Sequence, residues 1–335
     1  MKYEVSLIII LHNRHINLER LLEFYDDFDF PIIIADSSIE KHLFRKQLKS
    51  TIIYKYIPGF SYTQKIEKIL YEISTPYIAL CADDDFIIHK GLLECVSFLN
   101  DNRDFSSAQG LILRYYKNTI KNKIRFDMLY QGDYSLNDVN PAKRLEKLFN
   151  PYKSLLYAVH RTEILKLAFD NAGATFKNLY LNEYLTSIIP VLKGKHKDLT
   201  CLYQVREYSE ISDDKKVDNL DVILNSENYR IEFLNFLDHL LDKSDNFEGL
   251  CRESLKKIII KSLINYAKEL ESFKRIKGSF KKQVGEFISY IPFVGMTYVQ
   301  NRRYKKSVES LKKHVNISEL NYLKLIGVLL KKYEV

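Results

Sequence analysis

Apolar runs broken by short polar stops set the rhythm of the first hundred positions. Val5–Leu11 is apolar apart from Ser6 and rich in β-branched residues, the pattern of a strand buried on both faces of a parallel sheet. It stops at His12-Asn13-Arg14, and Ile16–Tyr25 then spaces Leu18, Leu21, Leu22 and Tyr25 as a helix does. Pro31–Ala35 predicts a second short strand ending at Asp36-Ser37-Ser38, and Ile52–Ile57 a weaker third. Pro58-Gly59 breaks the chain before a helix over Tyr62–Ile73, with Ile66, Ile69, Leu70 and Ile73 on one face. Within Tyr77–Ile88 an apolar strand runs straight into three adjacent carboxylates, Asp83, Asp84 and Asp85, and a helix over Leu92–Leu99 follows Gly91. Alternating strands and helices predict an α/β sheet made parallel by right-handed crossovers.

Beyond Asp101 the pattern loosens. Ala108–Tyr116 predicts a strand, Lys117–Lys123 a basic loop, and Asp127–Pro141, rich in Asp, Asn and Gly, a mobile loop over the site. Helices are expected over Pro141–Phe149 and Arg161–Ala168, with a strand at Leu155–His160 between them. Leu179–Pro190 is an amphipathic helix carrying Asn182-Glu183 near its start, and a strand ending in Tyr203–Glu210 follows Lys193–Asp198. Past Asp213 the spacing is helical over Asn228–Leu241, Leu250–Phe273 and Ile317–Lys332. The expected organisation is a first α/β half over 1–100, a second half over 101–212, and a helical, basic extension over 213–335.

Composition adds limits. With 335 residues, 46% hydrophobic and 28% charged, the chain can bury a full core, which excludes general disorder. The net charge of +8 is uneven: of 51 basic and 43 acidic residues, 18 and 6 lie from Leu255 onward, leaving 33 and 37 before it. Basic character therefore belongs to the tail. There, Phe287–Val299 is apolar and aromatic and leads into Asn301–Lys306, so 287–306 reads as a contact with an anionic membrane surface or as a buried helix pair with solvated flanks. Cys81, Cys95, Cys201 and Cys251 show neither close pairing nor metal spacing, which predicts reduced thiols. The start lacks the features of a secretion signal, and no apolar run reaches membrane-spanning length. The expected location is cytoplasmic, with peripheral contact at the inner face of the cell membrane.

Polar groups at three strand ends carry the candidate chemistry. A single Asp after a strand is ordinarily a turn residue or helix cap. Three adjacent carboxylates repel and call for a cation or good donors. Continued strand alternation would project Asp83 and Asp85 together and Asp84 away, and two carboxylates on one side suit Mg²⁺ or Mn²⁺ completed by phosphates. The other reading is a solvated acidic turn. Ligands of open α/β sheets bind at the carboxyl ends of strands, which favours the metal–phosphate reading.

In order and spacing, Ser6–Arg14, Ile32–Ser38 and Tyr77–Ile87 resemble the opening of the family 2 glycosyltransferases, inverting enzymes of the GT-A fold. The resemblance covers roughly the first 100 residues, fades by about residue 210 and does not reach the tail. It implies a Rossmann-like, mostly parallel sheet flanked by helices, followed here by the α-helical extension. It implies further that His12, Asn13, Arg14 and Asp36 hold the nucleoside of a nucleoside-diphosphate sugar, while the acidic motif holds Mn²⁺ or Mg²⁺ across the diphosphate. Ala82 stands where the family's first motif aspartate belongs, and that alignment makes Asp84 the ligand; Asp83, Asp84 and Asp85 all remain candidates. Gln64-Lys65 occupies the place of the family's Asn or Arg-Asn, so Lys65 is a phosphate partner or a solvated helix lysine. Asn182-Glu183 stands where a Glu-Asp pair supplies the catalytic base, which makes Glu183 the base or a helix-dipole glutamate. Arg206 is a candidate pyrophosphate partner.

The activity implied is metal-dependent, inverting transfer to a hydroxyl of a surface polysaccharide or lipid-linked glycan. A sugar nucleotidyltransferase is the alternative, but its glycine-rich phosphate loop is missing after the first strand. A nucleic-acid-binding module acting through the tail is a third reading. It leaves the front of the chain unexplained and lacks a recognition motif, so nucleic acid is not an expected partner.

Overall fold

Val5, Leu7, Ile9 and Leu11 leave β1 (Val5–Leu11) on one face, Ile8 and Ile10 leave it on the other, and both sets are buried. A two-residue period with apolar groups on both sides makes a central strand, and β-branched isoleucines favour the pleat over a helix. The computed structural model describes residues 3–44, 46–118, 123–130, 134–208, 220–244, 251–268 and 317–333.

The first half continues with α1 (His15–Phe24), β2 (Ile32–Asp36), β3 (Ile52–Tyr56), α2 (Tyr62–Glu72), β4 (Tyr77–Ala82), β5 (Phe86–Ile87) and α3 (His89–Asp101). The second half holds β6 (Phe105–Asn118), β7 (Lys123–Tyr130), β8 (Ser135–Leu136), α4 (Pro141–Leu148), β9 (Val159–Arg161), α5 (Thr162–Phe169), α6 (Ala172–Thr175), α7 (Leu179–Lys193) and β10 (Lys195–Glu207). Then come α8 (Leu220–Asn225), α9 (Glu227–Lys243), a helix at 252–268 and a closing helix, Ile317–Lys332.

Among the described residues, ten strands form one sheet in the order β3-β2-β1-β4-β9-β6-β10-β5, with β7 beside β6 and β8 beside β10. β1 to β4, β6 and β10 all run the same way, and the short β9 joins the two parallel groups by antiparallel pairing to β4 and β6. The mixed α/β sheet flanked by helices agrees with the sequence reading.

Each face of the sheet carries one layer. Ile8, Ile10, Ile33, Ile78 and Leu80 pack under α2, α4, α5, α7, α9 and the 252–268 helix. Leu7, Ile9, Ile32, Ile34 and Ala79 pack under α1, α3 and the closing helix, through Ile326, Leu329 and Leu330. The chain's end thus folds back onto the far face of the first half, and Lys332 Nζ reaches Glu23 Oε2 at 2.6 Å. Gly91 on α3 lies so close to β10 that a Cβ there would collide with Leu202 O.

Part of the expected mobile loop is a strand instead. Asp127–Tyr130 belongs to β7, whose Ile124 and Phe126 pack on the core. Alternating apolar residues over Ile124–Tyr130, interrupted by charge, mark a strand, and it pairs with β6. Segment 287–306, the candidate membrane contact, lies outside the described residues. Among the described residues no helix is long and apolar enough to cross a membrane.

Candidate active site

Strand register brings the polar stops to one rim. Leu11 pairs with Asp36, Asp36 with Tyr56, and Ile10 with Ala82, so β1, β2, β3 and β4 end in one row. β10 runs the same way and delivers Arg206 and Glu207 to that rim.

The loops after β1 and β2 are zipped together. Asn13 takes a left-handed conformation, φ 54°, which Asn tolerates better than bulkier residues. Its backbone N–H donates to Ser38 Oγ at 2.7 Å, and its Oδ1 accepts from Ile39 N at 2.9 Å. His12 Nδ1 donates to Ser37 O at 3.0 Å. Asp36 sits beneath, 0% exposed, accepting from Ser38 N, Tyr54 Oη and His15 Nε2 at 2.8, 2.5 and 3.0 Å. Burial alone would raise its pKa, but the donors of Ser38, Tyr54 and His15 outweigh it and hold the carboxyl below its ordinary value. In this state Asp36 builds the loop, while His12, Asn13 and Arg14 are exposed above it.

Strand alternation does not govern the acidic triplet, because β4 stops at Ala82. Asp85 N donates to Ala82 O at 3.2 Å and closes a turn. The turn sends Asp83 and Asp84 to the same partner: Arg14 Nη2 lies 2.5 Å from Asp83 Oδ1, Nε donates to Asp83 Oδ2 at 3.1 Å, and Nη1 to Asp84 Oδ2 at 2.7 Å. Asp85 turns the other way, accepting from Gln204 Nε2, Arg206 Nε and Glu207 N at 3.1, 3.2 and 3.0 Å. Asp83 therefore projects with Asp84, and not with Asp85 as continued strand alternation would have it.

Burial pushes Asp83 and Asp85 each up to about 7, against the opposing pull of Arg14 and of Arg206. For Arg14 burial acts downward, yet Asp83 and Asp84 raise it overall. Arg14 and the two aspartates form a charged cluster, Arg14 meeting Asp83 through two of its nitrogens and Asp84 through the third.

Residues beneath this turn escaped the sequence reading. Arg20, on the buried side of α1, donates to Asp84 O at 3.2 Å and lies over the Phe86 ring at 5.0 Å. Tyr115 Oη donates to Glu207 Oε2 at 2.6 Å and lies 3.0 Å from Asp84 O. A charged residue beside Leu18 and Leu21 on a core-facing helix was the available signal for Arg20, and a strand-end carboxylate the signal for Glu207.

Lys65 is not a solvated lysine. Ser61 and Gln64 form a reciprocal capping box that starts α2, and Lys65 follows at 2% exposure. Its ammonium donates to Leu11 O at 2.7 Å and Ser37 Oγ at 2.9 Å, and burial lowers its pKa to about 8. Arg206 is half-buried, its guanidinium 4.9 Å from the Tyr157 ring centre. Glu183 is half-buried on α7, where its backbone carbonyl accepts from Thr186 Oγ1 and Ser187 Oγ.

A cleft of about 360 Å³ opens at the rim, lined by residues that include His12, Ser38, Ile39, Phe60, Gln64 and Lys177. The loop of His12 links it to the acidic turn, since Arg14, two residues after His12, pairs with Asp83 and Asp84. A Ser107–His196–Asp198 line elsewhere has the order of a hydrolytic triad, with 2.9 Å at each step. All three are 0% exposed, so no substrate reaches them and the line is a buried structural network.

Asp83 and Asp84 fit a divalent ion. They are hard oxygen donors that already converge on one positive group, and Mg²⁺ or Mn²⁺ typically takes one or two carboxylates and completes its shell with water and phosphate. Asp85 is committed to β10. Among the described residues no cluster of three or more His, Cys, Asp and Glu could hold a metal ion.

Neither a protein-family model nor a curated protein matches this chain. Solved structures do. S. aureus TarS 1–349 in complex with UDP-GlcNAc is 15% identical and covers 78% of this chain and 72% of its own, with a TM-score of 0.50. A structure of TarS 1–349 at 13% identity covers 99% of this chain and 91% of its own, also at 0.50. The likeness shows the fold.

Proposed function

We propose that the protein is a glycosyltransferase that moves a sugar from a nucleoside-diphosphate sugar onto a hydroxyl of a surface polysaccharide or lipid-linked glycan, with inversion. The observation that carries the reading is the rim itself: two carboxylates gathered on one cation, Arg14, whose loop also supplies His12 to the neighbouring cleft. Similarity of fold to a protein crystallised with UDP-GlcNAc supports it and makes a uridine nucleotide the first to try.

In this reading the nucleoside lies in the cleft against His12, Asn13 and the Ser37–Ile39 loop, with the Phe60 face available for stacking. Asp36 and Lys65 shape that loop from beneath. Arg14 and Arg206 present guanidinium groups to the diphosphate. Mn²⁺ or Mg²⁺, held by Asp83 and Asp84, would supply positive charge to the departing diphosphate. Glu183 takes the proton of the acceptor hydroxyl, whose oxygen bonds the anomeric carbon on the face opposite the leaving group as the bond to the diphosphate oxygen breaks. Segment 287–306 brings the protein to an anionic membrane, where a lipid-linked acceptor would lie.

Thermal unfolding with UDP, GDP, CDP and ADP, with and without Mn²⁺, tests the reading. A ligand at 100 times its Kd stabilises the fold by about 2.7 kcal/mol, a shift of several degrees. A uridine nucleotide is expected to act best, and no shift with any diphosphate overturns the proposal. Glu183→Gln should lower turnover by about 10²–10⁴-fold with nucleotide Kd unchanged. Near-normal turnover would move the base elsewhere, to Asp127 on β7 or to Asp133, which lies outside the described residues.

A further inference from the structure

Arg14 occupies the two carboxylates that would hold the ion. Its guanidinium bridges Asp83 and Asp84 at 2.5 and 2.7 Å, yet the side chain is 44% exposed and starts at the residue that precedes α1. Asp83, by contrast, is 1% exposed. Its Oδ1 has Arg14 Nη2 beside it but receives no directed hydrogen bond among the described residues. The oxygen is neutralised without being saturated, and a buried acceptor in that state is open to a better partner.

Charge balance points the same way. Arg14, Arg20, Lys65 and Arg206 face Asp36, Asp83, Asp84, Asp85 and Glu207 across this rim. Positive and negative groups are nearly matched before any ligand arrives. A diphosphate entering alone would bring unanswered negative charge, and a divalent ion entering alone would compete with a cation already in place.

We infer that Arg14 is an exchangeable counter-ion. It holds Asp83 and Asp84 together in the resting protein, and leaves them for the phosphates when diphosphate and divalent ion enter together. This rests on the nucleotide-sugar reading above and adds an order to it: the ion binds well only with the nucleotide. The exchange needs one residue to swing and no change of backbone, since Arg20 holds the Asp84 carbonyl from below.

Mn²⁺ binding, read from the electron-spin-resonance signal of free Mn²⁺, tests it without any turnover. Wild type, Arg14→Gln and Arg14→Lys are each titrated alone and with saturating UDP, GDP, CDP or ADP. Arg14→Gln alone is expected to bind Mn²⁺ at least about tenfold more tightly than wild type alone, because the resident cation is gone. The tightening that a nucleotide confers on wild type should shrink correspondingly, and Arg14→Lys should fall between. Equal or weaker Mn²⁺ binding by Arg14→Gln, in protein that melts as wild type, overturns the exchange and leaves the nucleotide reading standing. Nucleotide binding with no Mn²⁺ binding in any variant also overturns it. If no diphosphate stabilises wild type at all, the underlying functional reading falls with it.

Discussion

Asp84 and Asp85 are neighbours in sequence with opposite duties, and replacing each by Asn separates them. Asp85 accepts three bonds, from Gln204 Nε2, Arg206 Nε and Glu207 N, at 3.0 to 3.2 Å. An Asn keeps one acceptor oxygen and turns an amide donor toward donors. At least one charge-assisted bond is lost, about 1.5–3 kcal/mol. Burial of the carboxylate, which pushes Asp85 upward in pKa, returns part of this. The net loss at pH 8 is about 1–2 kcal/mol, a fall in Tm of roughly 1–3 °C for a chain of this length. Asp84 is 23% exposed and pairs with an Arg14 that is 44% exposed. Such a pair contributes about 0–1 kcal/mol, and removing the charge also relieves repulsion from Asp83 and Asp85. Asp84→Asn should therefore melt within about 1 °C of wild type. Scanning calorimetry gives both values, and repeating the scans with Mn²⁺ and UDP adds the ligand arm. There the order reverses: Asp84→Asn should lose most of the metal-linked shift. If Asp84→Asn melts several degrees low while Asp85→Asn melts as wild type, the division of the triplet drawn here is refuted.

Two further outcomes follow from the same geometry. Lys65 is lowered by burial from 10.5 to about 8, so its contribution to folding is present above the unfolded value and lost as pH falls through the folded one. Wild type should lose stability relative to Lys65→Met between about pH 10 and 8 and hold a constant difference below that; a difference flat from pH 7 to 10.5 would show that Lys65 titrates normally. Gly91→Ala forces a methyl into the Leu202 carbonyl, and overpacking against backbone should destabilise by about 1–3 kcal/mol or more in urea unfolding. Wild-type stability would mean that α3 does not pack on β10 as described.

The sequence by itself determined the layered architecture. β1, β2 and β4, the helices between them and the polar stops at their ends are written in local periodicity, because each apolar residue need only know its own face. The cap of α2 and the arrest of β1 at His12 are equally local. Less regular strands were harder: the charges in Ile124–Tyr130 hid the alternation that makes β7.

Tertiary structure decided which group answers which charge. Arg14 meets Asp83 across 69 positions of chain, and the Glu207 backbone meets Asp85 across 122. No local pattern carries such partners, so a turn at Ala82 could overrule the strand alternation expected of the triplet. The same holds for the burial of Asp36 and Lys65, for Arg20 under Asp84, and for a closing helix seated on α1. An ionisable side chain in a sequence announces only that it needs a partner. Which partner it finds, and whether water or protein supplies it, is settled when distant strands come into register and exclude solvent from the space between them.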